Sequence, residues 1–487
     1  MAPPTDLQSD PGVRLLRENV TPFPPLSDSE SQRRLGDFVS NLIAGDDVRV
    51  VLIGDGSHGT SEFYEARAIM TRRLIEHHGF NIVAVEADWP DAEAVDRYVR
   101  HRPGPGPRAS IDPASEAKRL GREPAFMRFP TWMWRNQEVQ HFTEWLRKYN
   151  HGRDPKAPDA VGFYGLDLYS LGPSMHAVLE YLEHVDKDMA EQVHKRYRHL
   201  MLWADSPHDY GIEALSGGFR DCEKDVKRVL HDLLSRKAKY AAWDHDGEEF
   251  HSCEQNARVV QDAEQYYKVM YHGRDESWNL RDRHMFDCLS RIIQHRSTKH
   301  NPAGIPGRAV VWAHNSHSGD ARATSMGWAR EELNIGQLCR EAFGNSAVRL
   351  VGCCTHGGTV AAARRWDGDM QVMRVRPGLP GSYEEMMHAA VNGSQGGDGR
   401  YKNFVLDLRE GKCDEELRKV LTKKRLERFI GVIYSPHTER QSHYSMAVLP
   451  EQFDGVVWID ETRHVGTLEV HQPHVALEYD ETWPFGL

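Results

Sequence analysis

Asp55 and His58 stand three residues apart in Gly-Asp-Gly-Ser-His-Gly at positions 54–59. An imidazole can take up a proton and return it near neutral pH. A carboxylate beside it fixes the ring tautomer and stabilises the protonated form. The flanking glycines let the backbone bend sharply and come close to a bound molecule. Groups of the same kind recur at Glu86 and in the run His314-Asn315-Ser316-His317. Arg67, nine residues beyond His58, can reach back to Glu86 or to a substrate oxygen, or face solvent.

Nucleophilic mechanisms find little support. No Gly-x-Ser-x-Gly elbow occurs in the chain, and Ser57 adjoins His58 too directly for a Ser–His hydrogen bond in so tight a turn. None of the seven cysteines has a distinctive neighbour. Hydrolysis by water activated at a histidine remains. A divalent ion held by His58, His314, His317, Glu86 and Asp55 is the competing chemistry, because that set supplies nitrogen and oxygen donors.

These residues need strands to position them. The apolar run 48–53 reads as a buried strand ending at the glycine-rich turn, and 61–78 reads as a helix stopped by Gly79. A second strand, 82–85, delivers Glu86, and a helix follows at 91–100. This β-α-β-α order implies parallel strands covered on both faces. Further strands are expected at 161–163, 309–313, 348–354, 404–408, 429–434 and 456–459, and a helix at 131–148. Ligands of an open parallel sheet bind beyond the carboxyl ends of its strands. Asp55, His58, Glu86, His314 and His317 all fall at such ends. The fold class expected is α/β, with a central, mainly parallel sheet flanked by helices. Residues 1–30, rich in Pro, Ser and Asp, read as an extension on the surface or partly disordered. Residues 31–487 read as one discontinuous domain with a mostly helical insertion at about 174–295. The segments 102–108 and 377–400 read as loops.

Two other stretches are candidates for substrate contact. Tyr434–Tyr444 is dense in polar and aromatic groups, including His437, Arg440, His443 and Tyr444, and is either a binding loop or a solvated turn. Trp132, Trp134 and Arg135 are either core anchors or the wall of a pocket for a bulky apolar substrate.

Composition narrows the partners. A net charge of −11 argues against a polyanion-binding surface. No apolar run is long enough to span a membrane, and the N-terminus lacks the pattern of a secretory signal. Seven scattered cysteines without CxxC pairs suit reduced thiols in a cytoplasmic protein. The expected partner is a small molecule, with no nucleic acid, no membrane and no cofactor. Nothing in the sequence speaks to oligomeric state.

The segments GDGSHGTSEFYEAR, VAVEADWPDA, FPTWMWRNQEV, GFYGLDLYSL, WNLRDRHM, VVWAHNSHSGD and IGVIYSPHTERQSHY, in that order from about residue 30 to 462, resemble the erythromycin esterase family. The resemblance implies an α/β fold and hydrolysis of an ester or lactone by activated water, on a macrolide or another secondary metabolite. It places the family's general base on His58, its glutamates on Asp55 and Glu86, its arginine on Arg67 and its later histidine pair on His314 and His317. The family turn carries Glu where this chain has Asp55, one methylene shorter. A metal-dependent hydrolase, an acyl-transferring or lactone-forming enzyme, and a non-catalytic metabolite- or haem-binding protein are the alternatives left open.

Overall fold

The computed structural model describes residues 10–102, 125–216, 221–243, 247–271, 273–298, 306–392 and 402–468. The expected loop at 103–108 and the glycine-rich tail at 393–400 lie outside the described residues, as do 1–9. Strands are numbered in chain order: β1 (Thr21–Phe23), β2 (Val50–Asp55), β3 (Ile82–Asp88), β4 (Gly162–Asp167), β5 (Ala309–His314), β6 (Val348–Cys354), β7 (Gly357–Ala362), β8 (Gln371–Val375), β9 (Asn403–Asp407), β10 (Arg425–Arg428), β11 (Tyr444–Ala447), β12 (Gly455–Ile459) and β13 (Glu461–Thr462). The chain forms two compact units. Met1–Val83, Met127–Trp145 and Arg308–Leu487 make the first, and Ala84–Phe126 with Leu146–Gly307 makes the second.

In the first unit the strand order is β1-β9-β12-β6-β2-β5. The four strands β12, β6, β2 and β5 run parallel, while β9 and β1 pair antiparallel at one edge. Every residue of β2, β5, β6 and β12 is buried, which is why these strands read as mostly apolar runs, broken in β6 by Arg349, rather than alternating ones. Helix Ser61–His78 follows the glycine-rich turn and ends where Gly79 adopts φ 70°, a left-handed cap that costs glycine least. Two smaller sheets, β13-β7-β8 and β10-β11, complete the unit.

Three expectations change here. Within residues 1–30, read as an extension on the surface or partly disordered, helix Pro11–Asn19 buries Val13 and Leu16, and β1 joins the sheet beside β9. The segment 377–400 contains helix Tyr383–Val391, whose Ser382 side chain caps Glu385 N–H. The apolar run 429–434 is not a strand. It makes isolated bridges, Ser57 to Ile430 and Ala363 to Ile433, and packs Ile430 and Tyr434 against β7 and β8, while the actual strand, β10, precedes it.

That strand carries a buried acid. Glu427 is fully buried, and burial, then the neighbouring Glu384 carboxyl, push its pKa well above the ordinary value, with Gln452 opposing. Glu384 is also raised, first by burial, although it accepts a hydrogen bond from Arg428 N–H at 2.7 Å. An acid whose folded pKa is raised holds its proton more tightly in the folded state. Its contribution is therefore complete below the unfolded carboxyl value and is lost as pH rises toward the folded one. Glu427→Gln is expected to flatten that decline and to be more stable than the parent at pH 8, by more than about 1 kcal/mol. Urea unfolding at pH 5 and pH 8 measures the difference.

In the second unit β3, which the chain enters from the first unit at Ala84, lies beside β4. Both strands are buried throughout. Helix Trp89–Val99 follows β3, seven α-helices are described between Leu171 and Thr298, and Val226, Val229, Leu230 and Leu233 supply a buried face of one of them. Among the described residues no helix is long and apolar enough to cross a membrane.

Candidate active site

Strands β2 and β5 lie side by side and parallel, and their register sets Asp55 directly opposite His314 at the carboxyl ends. The chain then turns at Gly56–Gly59, which brings His58 back over the same edge. Backbone hydrogen bonds hold the turn on both sides. His58 N–H donates to Ile430 C=O at 3.2 Å, Ile430 N–H to Gly56 C=O at 2.9 Å, and Ala361 N–H to Gly59 C=O at 3.0 Å. A Cβ on Gly59 would fall 1.9 Å from the Ala361 carbonyl oxygen, so only glycine lets β7 pass this close.

Asp55 is the hub. Its Oδ2 accepts from Arg67 Nη2 at 2.5 Å, and its Oδ1 lies 3.4 Å from His58 Nδ1. All three side chains are almost wholly buried. Burial by itself would raise the Asp55 pKa. The Arg67 guanidinium, then His58 and His314, outweigh it and hold the carboxyl below its ordinary value. Arg67 comes from helix Ser61–His78, where it lies over the rings of Tyr64 at 4.4 Å and Trp312 at 5.4 Å. The alternatives of solvent and of Glu86 give way to this pairing. The His58 and His314 rings face each other with centroids 4.7 Å apart and planes at 47°, and Phe429 meets His314 edge-on at 6.0 Å.

His314 begins a one-turn helix, Asn315–Ser318, which the sequence had not suggested. Asn315 anchors it: its amide nitrogen donates to Cys353 C=O at 3.1 Å, and its amide oxygen accepts from Cys353 N–H at 3.4 Å. His317 is buried within the same turn. Among the described residues no three or more His, Cys, Asp or Glu side chains are arranged to hold a metal ion.

Glu86 belongs to the second unit, and it lies within β3 rather than just beyond its end. There it accepts from Arg281 Nη2 at 2.7 Å. The same guanidinium donates to both oxygens of Asp167, at 2.9 Å from Nε and 2.6 Å from Nη2, and lies over the Tyr169 ring at 5.0 Å. Burial disfavours the Arg281 charge, but Asp167, Tyr169 and Glu86 overcome that and raise its pKa well above the ordinary value. Arg281 and Asp167 were not among the candidates read from sequence. Their signal was present in the motifs WNLRDRHM and GFYGLDLYSL, without a local reason to single out these two.

The remaining candidates are placed as follows. Trp132, Trp134 and Arg135 are buried; Trp134 meets Tyr64 edge-on at 6.2 Å, and Trp132 packs on Phe129 at 5.3 Å. His443 is buried and its Nε2 accepts from Ser435 N–H at 3.0 Å, while Tyr444 Oη accepts from Leu379 N–H at 3.2 Å. His437 and Arg440 are exposed. Within 434–444, Tyr434 Oη donates to Glu439 at 3.0 Å, and Arg428 Nε stands 3.1 Å from the same oxygen. The segment is thus braced largely by its own side chains and by β10.

The fold is α/β with a mainly parallel sheet, and a buried carboxylate–histidine–arginine group stands at the carboxyl edge of its strands. Residues 75–462 match the erythromycin esterase family model, and the chain belongs to that family. The matched span begins after the turn that carries Asp55 and His58. Among characterised relatives, erythromycin esterase type II of Escherichia coli is 25% identical over 146 residues, 29% of this chain and 30% of that protein's length. The chain therefore aligns with less than a third of that relative. Solved structures share the fold over nearly the whole chain. A Bacillus cereus protein superposes with a TM-score of 0.72 at 18% identity, covering 95% of this chain and 98% of its own. A succinoglycan biosynthesis protein gives 0.68 at 18% identity, covering 94% and 98%. A histidine-to-asparagine mutant of the erythromycin esterase EreC in its open conformation gives 0.61 at 17% identity, covering 89% and 95%.

Proposed function

We propose that this protein hydrolyses a carboxylic ester or lactone with water activated by His58, and that its substrate is a macrolide or another secondary metabolite. The observation that carries the reading is the buried group of Asp55, His58 and Arg67, with the His314 ring facing His58. His58 Nδ1 faces the Asp55 carboxylate, which leaves Nε2 to take a proton from water. The resulting hydroxide attacks the carbonyl carbon. When the tetrahedral intermediate collapses, the C–O bond to the leaving alkoxide breaks, and His58 returns its proton to that oxygen. Arg67 keeps Asp55 ionised throughout, so the imidazolium formed midway has its counter-charge in place. Family membership supports ester cleavage, and the expected substrate class follows from the family resemblance.

A direct attack by water leaves no acyl group on the protein. Turnover of a panel of 4-nitrophenyl esters and macrolactones, followed by mass spectrometry of products and of intact protein, is the test. Acid product without a covalent acyl adduct is the expected result. An accumulated acyl-protein, or transfer to an added alcohol in preference to water, would overturn the mechanism. Absence of product from every ester and lactone would overturn the function.

A further inference from the structure

His314 and His58 are neighbours with opposite surroundings. The backbone N–H of Ser316 donates to His314 Nδ1 at 3.4 Å, and Ser316 Oγ stands 2.8 Å from the same nitrogen. A hydroxyl can donate or accept, so Oγ alone decides nothing. A backbone N–H can only donate. His314 Nδ1 must therefore present its lone pair, and the neutral ring carries its proton on Nε2. At His58 the logic reverses. Nδ1 faces the carboxylate of Asp55, which only accepts, so the proton sits on Nδ1 and the lone pair on Nε2.

We propose that Ser316 is a positioning residue that fixes His314 in its Nε2–H tautomer, so that His58 alone is the base and His314 is the donor to the substrate's carbonyl oxygen. The donor's use rests on the hydrolase reading above; the tautomer does not. The division has a physical motive. Two imidazole bases at a centroid distance of 4.7 Å would compete for one proton, and the first to protonate would disfavour the second. A ring whose only lone pair is already occupied by Ser316 does not compete. It offers a fixed N–H toward charge that grows on the carbonyl oxygen during attack. The one-turn helix makes this possible, because it folds the Ser316 amide back onto the ring two residues earlier.

The test begins without substrate. In protein labelled with ¹⁵N-histidine, with signals assigned through His314→Gln and His58→Gln, His314 is expected to be protonated on Nε2 and His58 on Nδ1 at pH 8. An Nδ1–H tautomer at His314 overturns the inference whatever the activity. Ser316→Ala is expected to lower kcat on 4-nitrophenyl acetate by roughly 5–10-fold at unchanged KM, the worth of one hydrogen bond. With the 2.8 Å hydroxyl contact gone and only the longer 3.4 Å backbone donor left, a minor Nδ1–H signal should appear, and Ser316→Thr should restore both readouts. A Ser316→Ala protein with parental kcat and a single Nε2–H signal removes the positioning role. Correct tautomers in a protein that cleaves no ester would count against the hydrolase reading and leave the tautomer assignment standing.

Discussion

A His58→Ala variant is expected to keep its fold and to lose ester hydrolysis by about 10²–10⁴-fold, the usual worth of a general base. The fold should survive because the substitution orphans no charge. Asp55 keeps its bond to Arg67, and the backbone bonds of the turn to Ile430 and Ala361 do not involve the imidazole. Activity should collapse because His58 carries the lone pair assigned to water's proton, whereas Asp55 is held by Arg67 and His314 Nδ1 is occupied by Ser316. The measurement is kcat on 4-nitrophenyl acetate beside thermal unfolding of both proteins, with added imidazole as a chemical substitute for the missing ring. Partial recovery by imidazole is expected. A folded His58→Ala protein with a near-parental rate would remove His58 from the mechanism.

Much of this edge was legible in the sequence, for reasons that also explain what was not. The strands β2, β5, β6 and β12 are buried on both faces, so their apolar runs announced both the strands and the residues beyond their ends. What joins Asp55 to His314 is the register of two strands more than 250 residues apart in the chain. No local pattern encodes that pairing. Hydrophobic patterning misled where charge is buried. β10 contains Glu427 and Arg428, both inside the protein, and the apolar run after it looked the better strand. Arg281 was passed over for a related reason. It lies within the 25-residue helix Arg274–Thr298, whose many charged residues suggest a solvated face, and only the tertiary fold brings it onto Glu86 and Asp167. Asp55 is the instructive middle case. The sequence marked it as a shortened member of the family turn. In the structure its carboxylate is held closely by Arg67 and stands 3.4 Å from His58 Nδ1.

That unequal grip leads to an expectation about the pair itself. Arg67→Met is expected to destabilise the protein by about 3–5 kcal/mol, because it leaves the Asp55 carboxylate buried without its main counter-charge. Asp55→Asn should cost less. Arg67 would still lie over the faces of Tyr64 and Trp312, which stabilise a cation by roughly 1–2 kcal/mol where water is excluded. Asp55 would keep only the weaker support of the His58 Nδ1–H that faces it at 3.4 Å and of the His314 ring. The sign of the pH dependence follows. In the parent protein the Asp55 pKa is lowered, so its contribution is present above the unfolded carboxyl value and is lost as pH falls through the folded one. In Arg67→Met the same burial has lost its largest opponent, so the pKa rises and the carboxyl is better accommodated when acid protonates it. The stability gap between the two proteins should therefore be widest above about pH 6 and narrow toward about pH 4. Urea unfolding across that range decides it. A gap that stays constant with pH, or an Asp55→Asn protein less stable than Arg67→Met, would mean that Arg67 is held for its packing and not as the counter-charge that keeps Asp55 ionised beside His58.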